Sequence, residues 1–370
     1  MLQDILGQPY AVRVLENALQ NGRLAGSYLF LGPDGVGKAT AAKQFAKSLC
    51  GATADTDPVA RAIDAGTSPD VRSLDPPPSR ITSIAQIWPR AGHKEHFADN
   101  AMLRDLQYEP ISAAKRVFII HDAEGLGRGG ADAGNSLLKT LEEPPAYAHF
   151  ILTAASAGGV MPTIVSRCQV VHFGLLPADT IETTLQTRFG VAGAQARFLA
   201  AYCEGRLGRA VSLARSPSLL AGRESLLDLA HDLLSAAPIK SFKLGEEFRK
   251  LAPKLRASVD DEAGEGAAEE KAGREPLGRA LDLLATYYRD VLSVAVLGPE
   301  RASLVNVDRR AEVVGHAARY SSEQIEHALG LLLDVKQAIE RNANSQLAIE
   351  VLFTHLTTLT LKGVSSAASR

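Results

Sequence analysis

A parallel-sheet α/β domain carrying a phosphate-binding P-loop, followed by an all-helical C-terminal half, is the fold class that three observations predict. A short apolar run, Tyr28-Leu29-Phe30-Leu31, leads into Gly32-Pro33-Asp34-Gly35-Val36-Gly37-Lys38-Ala39-Thr40, and a helical pattern follows over Ala41–Leu49. Two more continuous apolar runs, at 117–120 and 150–153, read as strands buried on both faces, as parallel sheets require. After Leu175-Leu176-Pro177 the chain shows helical segments and no further strand signals.

The first unit is a G-x-x-x-x-G-K pattern between a strand and a helix, the context in which backbone N–H groups converge on an anion. The helix N-terminus adds the positive end of its dipole. Gly32, Gly35, Gly37 and Lys38 form this cradle, and Lys38 reaches the outer phosphates. The residue after the lysine should carry the hydroxyl that holds Mg²⁺, and it is Ala39. Thr40 stands one place late, and one residue on a helix turns a side chain by about 100°. The pattern therefore predicts a nucleotide-binding fold and argues against hydrolysis.

Ahead of the loop, Ile5–Asn21 carries Ile5, Val12, Leu15 and Leu19 at helical spacing, with Gly22 as a stop. From Gly51 to about Arg104 the pattern fades, and Asp75-Pro76-Pro77-Pro78 excludes regular structure. His93 and His96 stand at i, i+3 without a further ligand nearby. They read as solvated surface histidines rather than a metal pair. The strand over 117–120 ends on His121 and Asp122, where open α/β sheets bind ligands. An ATPase places its Mg²⁺-holding aspartate there. His121 is either a metal ligand or base, or the filler of an abandoned site. The second reading is favoured because Mg²⁺ wants oxygen.

Asn135–Leu141 reads as an amphipathic helix ended by Glu142-Glu143-Pro144-Pro145. The strand at 150–153 is followed by Ala154-Ala155-Ser156, and Thr163–Cys168 precedes a last strand over Gln169–Phe173. Three short helices follow at 179–189, 194–203 and 207–214, broken at Gly190 and Gly205, and longer helices run to about Leu361. Residues 260–275 are Gly-, Ala- and Glu-rich and read as a flexible loop, or else as an acidic interaction element. Gly363–Arg370 reads as a loose tail.

A length of 370 residues predicts two or three domains. With 40 Lys+Arg against 42 Asp+Glu, the chain lacks the basic excess of a protein that grips DNA alone. Cys50, Cys168 and Cys203 show no C-x-x-C spacing, and suit a reducing cytoplasm rather than a disulfide framework or a zinc site. The start shows no signal-peptide pattern, and no apolar run reaches membrane-spanning length. A cytoplasmic protein with no membrane contact is expected.

Four stretches together resemble the clamp-loader AAA+ family. They are Ile5-Leu6-Gly7-Gln8 with Arg23-Leu24-Ala25 and the strand into the P-loop; Asn135-Ser136-Leu137-Leu138-Lys139-Thr140-Leu141-Glu142-Glu143-Pro144-Pro145; Pro162-Thr163-Ile164-Val165-Ser166-Arg167-Cys168, similar to the family's S-R-C motif; and Asn342-Ala343-Asn344-Ser345-Gln346-Leu347-Ala348-Ile349-Glu350. Gly205-Arg206-Leu207-Gly208-Arg209-Ala210 looks like the second-sensor helix of its lid. The resemblance covers nearly the whole chain and weakens between Gly51 and Asn100.

It implies a RecA-like AAA+ domain over 1–174, a helical lid over 175–216 and a helical collar over 217–370. The family works as a five-subunit ring of delta-prime, delta and three gamma/tau motor subunits. The ring opens a sliding clamp, threads primed DNA through it and closes it on ATP hydrolysis. Motors keep the P-loop hydroxyl, the acidic pair and a polar first sensor; this chain has Ala39, His121 and Ala154-Ala155 there. Those losses look like the delta-prime position rather than a motor, in which case ATP or ADP is bound without hydrolysis or the cradle is empty. Arg167 would then act in trans on a neighbour's ATP, and Arg209 would sense nucleotide from the lid. Many relatives carry a four-cysteine zinc module after the P-loop helix; only Cys50 lies there, so no zinc is expected. The competing reading is an active motor ATPase in which Thr40 and Asp122 take over the displaced roles.

Overall fold

The computed structural model describes residues 2, 5–77, 79–88, 101–128, 130, 132–234, 238–255, 269–341 and 343–367. His93, His96, Asn342 and most of the acidic stretch, residues 260–268, lie outside them. The chain divides into two compact units: residues 1–180 with 204–208, and residues 181–203 with 209–370.

The first unit is a five-stranded parallel sheet of order β2-β3-β4-β1-β5. Its strands are β1 (Ser27–Leu31), β2 (Val71–Leu74), β3 (Arg116–Ile120), β4 (Ala148–Ala154) and β5 (Gln169–His172). Strands β1, β3 and β4 are buried along their whole length, and alternate side chains enter opposite cores. Tyr28, Phe30, Val117 and Ile119 pack with Phe45 and Leu49 of α2 (Lys38–Leu49) and with Leu15 of α1 (Pro9–Gln20). Leu29, Phe118, Ile120 and Leu152 pack on the other face with Leu137 and Leu141.

Strand β2 and two helices, α3 (Pro58–Asp64) and α4 (Ile84–Ile87), lie where the sequence pattern fades. Val-Arg-Ser-Leu at a sheet edge needs no apolar run, because its side chains are only partly buried. Buried polar groups hold this region instead. Lys47, 1% exposed, donates to Asp55 and Asp64 at 2.8 Å each. Asp70 accepts from the backbone of Ile111, Ser112 and Ala113 at 2.7–2.9 Å and from Arg116 at 3.2 Å. Continuing in chain order, α5 is Gly125–Arg128, α6 Asp132–Glu142 and α7 Pro162–Val165.

The second unit is helical. Its elements include α9 (Gly193–Tyr202), following α8 (Ala178–Phe189), then α10 (Leu207–Ala214), α11 (Pro217–Leu233), α12 (Ser241–Leu251), α13 (Glu269–Leu297), α14 (Arg310–Ala317), α15 (Ser322–Glu340) and α16 (Ser345–Ala367). Two expectations are corrected here. Residues 269–275, read as loop, form the start of α13, and residues 363–367, read as tail, continue α16. Phe248 of α12 meets Phe353 of α16 at 5.3 Å between ring centres.

Candidate functional site

The P-loop leaves β1 at the carboxyl edge of the sheet, where α/β folds place ligands. Its glycines are required by geometry. Gly35 and Gly37 have φ of 80° and 102°, in the left-handed region that side chains disfavour. A Cβ on Gly32 would lie 2.1 Å from the carbonyl oxygen of Phe173. The opening Gly7-Gln8 pins the loop from outside. Gln8 Nε2 donates to the carbonyls of Gly174 (2.7 Å) and Val36 (3.3 Å), and its Oε1 accepts from Gly174 N–H. Gly208 N–H donates to Gly35 O at 2.7 Å.

Lys38 is 7% exposed. An ammonium has three N–H donors, and they meet the carbonyls of Gly32 and Pro33 and Asp34 Oδ1 at 3.2 Å. To reach a phosphate, Lys38 exchanges one of these partners, and exposed Asp34 is the one most easily given up.

A cavity of about 440 Å³ opens over the loop, lined by Lys38, Thr40, Arg80, His121, Asp122 and Arg128 among others. Thr40 is exposed at its rim beside Ala39. His121 Nδ1 lies 3.4 Å from Thr153 Oγ1, and Nε2 lies 3.9 Å from Asp75. Burial lowers the His121 pKa, with Asp75 opposing, so the ring is neutral at pH 7. Asp122 has φ 51°, and its carboxylate accepts from Arg128 Nη1 at 3.0 Å. Glu124, 5% exposed, accepts the backbone N–H groups of Ala155 (2.6 Å) and Ser156 (3.3 Å) in the loop after β4. Glu124, Arg128, Arg80 and Asp75 are site residues that the sequence reading did not single out. The spacing Asp122-Ala123-Glu124 after a strand was the available signal for Glu124. Arg128 had none.

Arg167 lies elsewhere. It precedes β5 at the amino edge of the sheet, while the cradle follows β1 at the carboxyl edge. A five-residue strand spans roughly 17 Å, beyond the reach of one arginine side chain. Arg167 Nε donates to Glu142 Oε2 at 2.8 Å and Nη1 to Thr163 O at 3.1 Å, beside a second cavity of about 330 Å³. Arg209 belongs to the helical unit, where its guanidinium lies 5.1 Å over the Tyr202 ring.

A family model described as DNA polymerase III, delta subunit, matches residues 7–176. The chain is 26% identical over 350 residues to DNA polymerase III subunit delta' of Bacillus subtilis (strain 168), covering 93% of this chain and 94% of that one. Over nearly its whole length the chain is thus similar to DNA polymerase III delta-prime, and over part of it to the tau and gamma subunits. It is 27% identical over 303 residues to subunit tau of the same organism, covering 78% of this chain but only 49% of tau. A solved structure of a DNA polymerase III gamma subunit-related protein from Thermotoga maritima aligns over 94% of this chain and 99% of that one, at 18% identity and a TM-score of 0.43.

The parallel-sheet P-loop fold is present with altered chemistry at the sheet's carboxyl edge. Ala39 supplies no oxygen, His121 supplies nitrogen, and Asp122 and Glu124 are both engaged. The residues present do not fit an Mg²⁺ site. Among the described residues no group of three His, Cys, Asp or Glu is arranged to hold a metal, and no helix is long and apolar enough to cross a membrane.

Proposed function

We propose that this DNA polymerase III subunit is the non-hydrolysing, delta-prime-type member of a five-subunit clamp loader. With delta and the gamma/tau motors it loads the sliding clamp on primer-template DNA in the cytoplasm. Residues 175–216 serve as the lid, and 217–370 as the collar that joins the ring. Its own cradle holds ATP or ADP without turnover. Arg167 is its contribution to chemistry, reaching the ATP of a neighbouring motor.

One observation supports this reading: Arg167 stands at the sheet edge opposite its own cradle and out of reach of a phosphate held there. A guanidinium is always charged and forks onto phosphate oxygens. Its present partner does not prevent the transfer. Arg167 and Glu142 are 30% and 58% exposed, and an exposed pair is worth about 0–1 kcal/mol. An arginine finger is worth about 10³–10⁵ in rate, or roughly 4–7 kcal/mol. The competing motor reading needs a free Asp122, and Asp122 is paired with Arg128.

The test is ATP turnover by a reconstituted ring with clamp and primed DNA, comparing wild type with Arg167→Ala. A rate loss of about 10³ with the ring intact by gel filtration is expected. An unchanged rate would reduce Arg167 to the structural partner of Glu142. Turnover by the isolated chain that disappears in Lys38→Ala would favour the motor reading instead.

A further inference from the structure

Phosphate chemistry normally needs Mg²⁺ to balance charge at the end of β3, and the four positions that could hold it are unsuited. Ala39 has no hydroxyl, and His121 is a neutral imidazole beside Thr153. The left-handed backbone at Asp122 turns its carboxylate onto a guanidinium, which leaves it no role as a metal ligand. Glu124 is 5% exposed and occupied by two backbone N–H groups.

The protein itself supplies a cation beside those positions. Arg128, at the end of α5, lines the same cavity as Lys38 and the P-loop. Its contacts among the described residues are Asp122 Oδ2 at 3.0 Å and Arg80 O at 3.4 Å. Both leave from Nη1, so Nε and Nη2 are without a partner there, and the side chain is 41% exposed. A guanidinium held by one carboxylate presents its remaining N–H groups in a fixed fork, the geometry that matches phosphate oxygens. The other carboxylates that line the cavity have different partners: Asp34 is bonded to Lys38, Asp75 is 83% exposed beside His121, and Glu124 holds backbone N–H groups.

From this geometry we infer that Arg128 replaces Mg²⁺ as the counter-charge of the cradle, which binds a nucleoside diphosphate or triphosphate without a divalent cation. The loop N–H groups and Lys38 take the phosphates, Lys38 releasing Asp34 to do so. Arg128 keeps Asp122 and adds the phosphate on its free edge. No metal then polarises the terminal phosphoryl group, which agrees with binding in the absence of turnover. The inference rests on the proposed reading of the cradle as a nucleotide site.

The experiment is calorimetric titration of the full chain with ADP, once in EDTA and once in excess Mg²⁺. The two dissociation constants are expected to agree within about threefold. Arg128→Gln, a change at a part-exposed side chain, should weaken binding in EDTA about tenfold or more, the scale of one charge-assisted contact. Asp122→Asn frees the guanidinium and should hold or tighten binding in EDTA, whereas at a metal site it would weaken binding in Mg²⁺. ADP binding that requires Mg²⁺, or that Arg128→Gln leaves unchanged, overturns the role of Arg128 and spares the nucleotide cradle. No ADP binding in either buffer, by a chain folded by circular dichroism, overturns both. Neither result touches the role of Arg167, which is read in the reconstituted ring.

Discussion

Glu142 and Gly32 show how single residues set the two edges of the sheet. Glu142 belongs to the helix-ending Glu-Glu-Pro-Pro stretch and parks Arg167 through an exposed ion pair. Since such a pair is worth about 1 kcal/mol at most, Glu142→Ala is expected to leave ring turnover within roughly fivefold of wild type. A much larger loss would show that Glu142 aims the arginine. Gly32 answers to packing rather than ligand. Gly32→Ala drives a Cβ into the backbone carbonyl of Phe173, which no side-chain rotation relieves. A loss of roughly 2–4 kcal/mol is expected, read as a lower urea midpoint with an unchanged slope. Gly32, Gly35, Gly37 and Lys38 are readable from sequence because the spacing alone states the loop. Arg128 is not, because its relation to Asp122 arises only when α5 folds back beside the end of β3.

Elements are fastened by buried polar side chains that carry no periodicity. Arg223 of α11 is 6% exposed; it donates to Asp308 at 2.7 and 2.9 Å and to Asn306 at 2.9 Å, and lies 3.8 Å over Phe198 of α9. It ties α9, α11 and the 306–308 turn together. Arg223→Leu keeps the apolar stem but strands Asp308, whose carboxyl burial would raise and Arg223 holds down. The expected cost is roughly 3 kcal/mol, at the low end for a broken buried pair because Asp308 is 30% exposed, measured by chemical denaturation. Strand β2 makes the same point for the first unit. Its neighbour Asp70 is fully buried among backbone N–H groups, and those bonds, not an apolar stripe, hold the edge.

At the scale of the whole chain, near-balanced charge puts the pH response in a few buried groups. Burial, with His231 and Arg319 adding repulsion and Glu312 opposing, lowers the His316 pKa to about 4. His316 Nδ1 lies 2.9 Å from Tyr287 Oη, and Nε2 is buried without a partner among the described residues. The unfolded chain takes this proton more readily, so stability is fully present above about pH 6.5 and falls as pH drops toward 4. His316→Phe should flatten that fall in denaturation midpoints taken across the range. Burial raises Asp70, but its hydrogen bonds outweigh this and hold it low. Its contribution is present above the ordinary carboxyl value of about 4 and is lost below, as pH falls through the folded value. The two windows adjoin, so Asp70→Asn should change the response only at the acid end. Local spacing by itself determined the P-loop, four strands and most helices, and the motifs carried the family; these are short-range signals, complete within one element. Tertiary structure alone decided that β2 completes the sheet, that Asp122 is neutralised by Arg128, and that Arg167 stands at the edge away from its own cradle. Each joins groups distant in sequence or depends on which way a backbone turns, and linear spacing records neither.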